Sequence, residues 1–261
     1  MGIYSHSKLS AFEQCPLKFK LRYIDKIIPE SEKTIESHLG SVVHSVLEIL
    51  HTKAKKGKIL SVEEVIKHYF KKWEECYKPE IVIVRKDTTA EDYFNKGIKF
   101  LTDYYRKNHP FEENTLAVEK KIKIELGEHS IVGFIDRLVH NAEKDEYEIH
   151  DYKTANSMPL REAVENDRQL ALYSLAIKEI FGQEKKVCLV WHYLAHNQKI
   201  RSRRTDEQLE KLKKEVLELI EKIESTDNFH PYISKLCDWC EYKSMCYAWT
   251  KNHKQKELDI W

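Results

Sequence analysis

Two aspartates and a lysine lie on neighbouring predicted strands, in an arrangement suited to binding a divalent cation. Asp136 ends the sequence Gly133-Phe134-Ile135-Asp136, while Asp151 and Lys153 flank Tyr152. Side chains alternate across a strand, so Asp151 and Lys153 point to one face, and Asp136 can lie beside them. Carboxylates are the usual protein ligands of Mg²⁺, which also binds phosphate oxygens. The spacing predicts a site for a hard cation beside a phosphate, with the lysine orienting water or stabilising charge.

A β-hairpin must bring these residues together. Residues 130–140 are apolar and rich in β-branched side chains, residues 141–145 are polar, and a second strand pattern covers 147–152. Two such strands joined by a short polar turn predict a hairpin. Taken alone, the Asp-Tyr-Lys tripeptide is more typical of a solvated strand end. The flanking segments change that interpretation.

Three further residues complete an ordered series of motifs. His44 lies in a segment with apolar residues at helical spacing, and Gln169 and Tyr173 are four positions apart on a predicted helix. The order along the chain is a helical histidine, then Gly-x-x-Asp, Asp-x-Lys and Gln-x-x-x-Tyr. Each motif alone is weak, but the four in this order are specific.

The series resembles the RecB-like branch of the PD-(D/E)XK nuclease superfamily, over about residues 4–246. The resemblance implies a cation site with Mg²⁺ or Mn²⁺ held by His44, Asp136, Asp151 and the Tyr152 carbonyl. The imidazole ligand suits Mn²⁺ better than Mg²⁺. The resemblance also implies catalysis by Lys153, Asp136 and Asp151, with Gln169 and Tyr173 contacting the lysine region or DNA. Core packing is the alternative role for Tyr173.

Four of the six cysteines have the spacing of metal ligands. Cys237, Cys240 and Cys246 form C-x2-C-x5-C, and Cys15 is the fourth candidate. Thiolates this close normally share a metal, and a closed site takes four ligands. Spacing alone allows either zinc or an iron–sulfur cluster. The resemblance implies a [4Fe–4S] clasp joining the N- and C-terminal segments, as in CRISPR-associated adaptation nucleases and AddB-type nuclease domains.

The remaining cysteines are not predicted to bind a metal. Cys188 lies in an apolar strand and is interpreted as a buried thiol, and Cys76 has no neighbouring ligand. Disulfides are the competing explanation for six cysteines. The sequence shows no signal-like hydrophobic segment, so we expect a cytoplasmic, intracellular protein with reduced thiols.

Composition narrows the classes of partner. Apolar residues make up 41% and charged residues 33%, which is typical of a globular protein, and no apolar run predicts a membrane span. The net charge of +1 excludes a generally basic DNA coat. A nucleic-acid surface must be a local patch that contacts phosphates. Arg168 and Tyr173 are the best candidates, and further ones are Lys18, Lys20, Arg22 and the residues Lys199, Arg201, Arg203 and Arg204.

The order of predicted elements indicates one α/β (α+β) domain spanning residues 1–261. Helices are expected at 4–25, 39–57, 61–77, 88–108, 161–181 and 206–225, and strands at 115–126, 130–140, 147–152, 186–194 and near Ile200. This order, α, βββ, α, β, matches a restriction-endonuclease-like core with a central mixed sheet flanked by helices. A helical insertion covers about 58–110, and the cysteine segment about 229–250.

The leading functional hypothesis is a metal-dependent DNA exonuclease preferring single-stranded ends, acting in repair, recombination or CRISPR adaptation. The alternatives are a non-catalytic DNA-end-binding module, a partner-activated nuclease subunit, and a zinc-stapled structural protein. The chain has no Gly-rich phosphate loop ending in Lys-Ser or Lys-Thr. A helicase or a CRISPR adaptation protein would therefore be a separate partner.

Overall fold

The computed structural model describes residues 2–29 and 33–250. Its strands are β1 (Ile3–Tyr4), β2 (Thr115–Leu126), β3 (His129–Asn141), β4 (Glu146–Lys153), β5 (Lys186–Tyr193) and β6 (Gln198–Ser202). They form one six-stranded sheet in which five strands follow the order β1-β3-β4-β5-β6, and β2 pairs with β3 outside this order.

Parallel and antiparallel pairs are combined in this sheet. β3 is antiparallel to both β2 and β4, as expected for strands joined by short turns. β4 and β5 are parallel and are connected through helices, while β6 returns antiparallel to β5. The predicted fold class, a central mixed sheet flanked by helices, is confirmed.

Helices cover both faces of the sheet. They are α1 (His6–Gln14), α2 (Pro16–Phe19), α3 (Ile35–Lys55), α4 (Val62–Cys76), α5 (Ala90–Asn108), α6 (Arg161–Glu165), α7 (Arg168–Phe181) and α8 (Asp206–Glu224). Residues of α1, α7 and α8 share one hydrophobic core with the sheet. Residues of α3, α4 and α5 form a second core, which reaches the sheet through Tyr152.

The starts of the longer helices follow from the sequence because their caps are local. Ser61 with Glu64, Thr89 with Asp92, and Thr205 with Gln208 each form a reciprocal capping box. Each box satisfies amide groups that the first helical turn leaves without partners.

Two predicted helices are wrong in their continuity. Residues 4–25 were expected to be one helix, but Tyr4 is in a strand and Cys15 is extended, with φ −164° and ψ 108°. Pro16 disfavours helical backbone at the residue before it, so α1 ends at Gln14 and α2 begins at Pro16. The predicted helix 161–181 is also two helices, because Asp167 is an extended N-cap that accepts a hydrogen bond from Leu170 N at 3.0 Å.

Among the helices that the structure describes, none combines the length and apolar character needed to cross a bilayer.

Candidate active site

Strand divergence creates the candidate site. The paired residues of β3 and β4 run from Asn141 with Glu146 to Arg137 with His150, and β4 then continues beside β5 as far as Lys153. Beyond the last pair, the side chain of Asp136 replaces the β3 backbone. Its Oδ2 accepts a hydrogen bond from the Tyr152 N–H at 2.9 Å.

His44 connects this strand opening to α3. Its Nε2 lies 2.7 Å from the carbonyl oxygen of Tyr152, and its Nδ1 lies 3.4 Å from Asp136 Oδ2. Burial alone would lower the pKa of His44, but the hydrogen bond and charge of Asp136, with the charge of Asp151, raise it to about 9. The predicted ligands His44, Asp136 and the Tyr152 carbonyl are therefore brought together.

Asp151 and Lys153 form an ion pair beside this group. Lys153 Nζ lies 2.8 Å from Asp151 Oδ2 and donates to Gln169 Oε1 at 3.1 Å. Burial raises the pKa of Asp151 to about 6, opposed by the positive charge of Lys153 and reinforced by Asp136. Burial would lower the pKa of Lys153, but the charge and hydrogen bond of Asp151 raise it. The ammonium is thus held charged between a carboxylate and an amide.

Gly133 and Tyr173 explain how α7 reaches the sheet. A Cβ atom at Gly133 would lie 2.5 Å from the Tyr173 hydroxyl oxygen, so only glycine allows this approach. The side chain of Tyr173 is 5% exposed and packs in the core around β3. Core packing, the alternative role considered for Tyr173, describes its position, and its contact with nucleic acid stays a prediction.

Glu119 is a site residue that the sequence did not reveal. One ligand atom from each of His44, Glu119 and Asp136 can be chosen so that all three lie within 4.8 Å of one another. Val118 and Lys120 pair with Arg137 and Ile135, which places Glu119 opposite Asp136. Glu119 has φ +47°, a left-handed conformation that no local pattern signals. The one available signal was an acidic residue in the strand preceding Gly-x-x-Asp.

These donors fit a divalent cation. A cleft of about 420 Å³ is lined by Gly40, Ser41, His44, Ser45, Glu48, Glu119 and Asp136. Imidazole with carboxylates suits Mn²⁺, and carboxylates suit Mg²⁺. Within the part of the chain that the structure describes, Asp151 is not in the compact three-residue group, because its carboxylate is paired with Lys153.

Most of the predicted basic patches are neutralised. Arg201 binds both carboxylate oxygens of Glu148 at 2.8 and 2.9 Å, and Arg203 binds Glu146 at 2.6 and 2.8 Å. These carboxylates are buried on β4 and require counter-charges. The other partners are Glu241 for Lys18 and Arg22, Asp25 for Lys20, Glu113 for Lys199, and Ser202 and the Val164 carbonyl for Arg204. Arg201 of β6 and Arg203, which follows β6, are thus paired with glutamates of β4, and their contact with phosphates stays a prediction.

The four predicted ligand cysteines line one cavity of about 50 Å³. The Tyr232 N–H donates to Cys15 Sγ, and the Ser234 N–H donates to Cys237 Sγ, both at 3.4 Å. Among the described residues, no three cysteine sulfurs lie within 4.8 Å of one another. Sulfurs around tetrahedral zinc are roughly 3.8 Å apart, given Zn–S bonds of about 2.3 Å. Among the described residues, the cysteines are therefore not clustered as in a closed metal site, and the predicted clasp is not formed in this structure.

The other two cysteines differ in exposure, and the predicted burial of Cys188 is confirmed. Cys188 is buried, which raises the pKa of its thiol, and Cys76 is exposed. All six cysteines lie within the described residues, and none forms a disulfide.

Comparison with known proteins identifies the class to which this fold and site belong. The sequence profile of the PD-(D/E)XK nuclease superfamily matches residues 3–247. The chain belongs to this superfamily.

Two proteins and one solved structure are similar to the chain. The Gene 69 protein of Mycobacterium phage D29 is 24% identical over 203 residues, covering 70% of this chain and 72% of the phage protein. A component of the ATP-dependent helicase/deoxyribonuclease of Carboxydothermus hydrogenoformans is 26% identical over 242 residues, 81% of this chain, but the match spans only 22% of that component. A solved structure of a provisionally assigned exonuclease from Eubacterium rectale shares the fold, with a TM-score of 0.55 and 13% identity over 92% of this chain and 87% of that one.

Proposed function

We propose that the chain is a metal-dependent deoxyribonuclease of the RecB-like branch, folded as a single nuclease domain with α4 and α5 as its helical insertion. The supporting observation is the joint placement of two charged groups. Asp136 holds both the Tyr152 amide and His44, while Lys153 is held between Asp151 and Gln169. Both groups thereby lie beside Tyr152, where the pairing of β3 with β4 has ended.

The residues divide into cation-binding and phosphate-facing groups. His44, Asp136, Glu119 and the Tyr152 carbonyl would hold Mg²⁺ or Mn²⁺, with Asp151 as the adjacent buried carboxylate. The bound cation would supply Lewis-acid polarisation of the phosphate and a more acidic water. Lys153 stabilises the negative charge that develops on the phosphate oxygens, and Asp151 and Gln169 keep its ammonium in place.

The proposed substrate is a DNA strand with a free end, preferably single-stranded. The Eubacterium rectale neighbour is described as an exonuclease and the Carboxydothermus relative as part of a helicase/deoxyribonuclease, and both descriptions favour this choice. The second description also favours a separate helicase as partner and a role in repair or recombination. CRISPR adaptation stays a prediction from the sequence.

The cysteine cavity is proposed to hold a [4Fe–4S] cluster on Cys15, Cys237, Cys240 and Cys246. All four thiols line one cavity, and two of them accept backbone N–H bonds. Sulfur ligands and such hydrogen bonds are typical of iron–sulfur sites. Iron and zinc analysis of anaerobically purified protein, with absorbance spectra, tests this. One zinc per chain without iron would favour a zinc staple instead.

The decisive experiment is cleavage of end-labelled single-stranded and duplex DNA, with and without Mn²⁺ or Mg²⁺. Wild-type protein should cleave only with a cation, and Lys153→Ala should lose cleavage while binding DNA. Lys99→Ala, on the exposed face of α5, is the matched control and should cleave normally. Cation-independent cleavage, or full activity of Lys153→Ala, would contradict the proposal. DNA binding by wild type without cleavage would indicate an end-binding module.

A further inference from the structure

Arg168 belongs to a polar cluster that connects α7 with α1. Its Nη1 donates to Glu13 Oε1 at 3.1 Å, and its Nη2 bonds to Glu13 Oε2 and lies 3.3 Å from Ser10 Oγ. Ser10 Oγ is in turn 3.3 Å from His6 Nε2. The cluster therefore runs from the start of α1 to the first residue of α7.

The cluster lies immediately beside the catalytic lysine. Arg168 precedes Gln169, whose side-chain oxygen accepts the hydrogen bond of Lys153 Nζ at 3.1 Å. Ser10 Oγ links His6 to Arg168, since it lies 3.3 Å from an atom of each. Because Arg168 and Gln169 are adjacent at the start of α7, a strand that presents a phosphate to Lys153 would pass close to Arg168.

Two buried donors of the cluster have no acceptor within the described chain. Among the described residues, neither Arg168 Nε nor His6 Nδ1 has a hydrogen-bond partner, although both atoms are buried. Ser10 accepts from Arg168, so its own proton is available to His6 Nε2, and the ring hydrogen then lies on Nδ1. Buried donors without acceptors are rare, and each calls for a ligand or another cause.

The contact with Glu13 resembles recognition of a phosphate. A guanidinium fork that binds both oxygens of a carboxylate has the geometry with which arginine binds phosphates. Glu13 is 46% exposed and Arg168 is 18% exposed at their side chains, so the carboxylate lies on the solvent side of the pair. Partly exposed pairs of this kind contribute little to stability, and an incoming anion can displace the carboxylate.

We propose that Arg168, Ser10 and His6 form a binding site for a backbone phosphodiester next to the scissile phosphate, and that Glu13 occupies this site until DNA binds. The inference rests on the proposed nuclease function and extends it. It assigns a second phosphate contact, contributed jointly by α1 and α7, and an acidic residue that competes with the strand. Glu13 thereby weakens the binding of a strand that must displace it from Arg168.

Binding of a fluorescein-labelled single-stranded oligonucleotide, measured in Ca²⁺ to suppress cleavage, tests this assignment. Glu13→Gln should tighten binding by up to about fivefold, because the competing pair is worth at most about a factor of five. Arg168→Ala should weaken binding on the order of tenfold at low salt. It should also reduce the slope of log K against log salt by about 0.7, the value for one lost phosphate on a single strand. Arg168→Lys keeps the charge but not the two-pronged guanidinium, so its affinity should lie between those of wild type and Arg168→Ala.

Two controls separate competition from general charge effects. Glu75→Gln on α4 removes one negative charge, as Glu13→Gln does. Glu75 pairs with Lys71 and Lys72 and not with Arg168, so this variant should leave binding unchanged. Glu13→Gln should have no effect when Arg168 is already alanine. An effect of Glu13→Gln equal to that of Glu75→Gln, or one persisting without Arg168, would overturn the proposal. Thermal melts show that each variant is folded.

Two further arms define the ligand and the dependence on the proposed function. The substitutions at Glu13 and Arg168 should change the affinity for an oligonucleotide with a 5′-hydroxyl as much as for one with a 5′-phosphate. A change in affinity confined to the 5′-phosphate would overturn the assignment to an internal phosphodiester. Binding in Ca²⁺ does not require cleavage. An inactive wild-type protein in Mn²⁺ would refute the nuclease, while the binding comparison would still decide the role of Arg168.

Discussion

The carboxylate of Asp136 accepts the backbone N–H of Tyr152 at 2.9 Å, so one side chain completes the hydrogen bonding of a strand within the proposed cation site. The strand pairing that would otherwise satisfy this amide ends at Arg137 and His150. A buried N–H without an acceptor is costly, which gives Asp136 a structural role beside its proposed role as a cation ligand.

Asp136→Asn should separate these two roles. The asparagine oxygen can still accept the Tyr152 N–H, but the charge that attracts a cation is lost. We expect a folded protein with a melting temperature near wild type and with cation affinity lowered by more than about 100-fold. Calorimetric titration with Mn²⁺ measures the affinity. Asp136→Ala should lose both roles and melt earlier, and equal Mn²⁺ affinity in wild type and Asp136→Asn would refute the ligand assignment.

The hydrogen bond from Lys153 to Gln169 predicts a positioning effect. Gln169→Ala leaves Lys153 paired with Asp151 but removes the contact that fixes its amine from α7. Misplacement of a reactive group by about 1 Å typically costs about 100-fold in rate. We expect kcat to fall by about that factor with little change in Mn²⁺ affinity. Single-turnover cleavage measures this, and an unchanged rate would show that Asp151 alone positions Lys153.

The features that depend on residues close together along the chain were predicted well from the sequence. The capping boxes depend on residues three positions apart, and the hairpin depends on alternation and a polar turn, so both are encoded locally. The cation site was partly predictable because His44, Asp136 and Lys153 are recognisable in series. The burial of Cys188 was predictable from the apolar residues around it.

The features that the sequence concealed depend on contacts between distant elements. Glu119 joins His44 and Asp136 only because strand β2 places it opposite Asp136 in an unusual backbone conformation. Arg201 and Arg203 resemble an exposed basic patch in the sequence, although they neutralise buried glutamates across the sheet. The charge composition does not reveal such partners, because it does not say which residues face one another on neighbouring strands.

Gly133→Ala should destabilise the fold through one specific contact. The added methyl group would lie 2.5 Å from Tyr173, and overpacking of this kind typically costs about 1–3 kcal/mol. Chemical denaturation measures the free energy of unfolding. Because the clash is with the ring, Gly133→Ala combined with Tyr173→Leu should be less destabilised than the two single variants added together. Strict additivity of the two substitutions would show that the contact is not the cause.

Acid should destabilise the protein through histidines buried behind the site. His150 Nδ1 lies 2.8 Å from both Arg137 Nη2 and His192 Nε2, and Arg137 is itself bound to Glu113. Burial and then the charge of Arg137 lower the pKa of His150 to about 3, against the opposing effect of the hydrogen bond that His150 donates to Glu148. Burial also lowers the pKa of His192 and of His51 well below the ordinary value.

The sign of the effect follows from proton binding. Below the ordinary histidine pKa of about 6.5, the unfolded chain binds protons that the folded state excludes, so stability falls as pH decreases. Each such histidine contributes a slope of up to about 1.4 kcal/mol per pH unit between about pH 6 and the folded-state pKa. Urea denaturation from pH 8 to pH 5 measures the loss. His150→Gln should be less stable at pH 8, since it disturbs the contacts with Arg137 and Glu148, but should show a shallower dependence on pH. His68→Gln, on α4, is the matched control, and an identical slope in wild type and His150→Gln would show that His150 does not contribute.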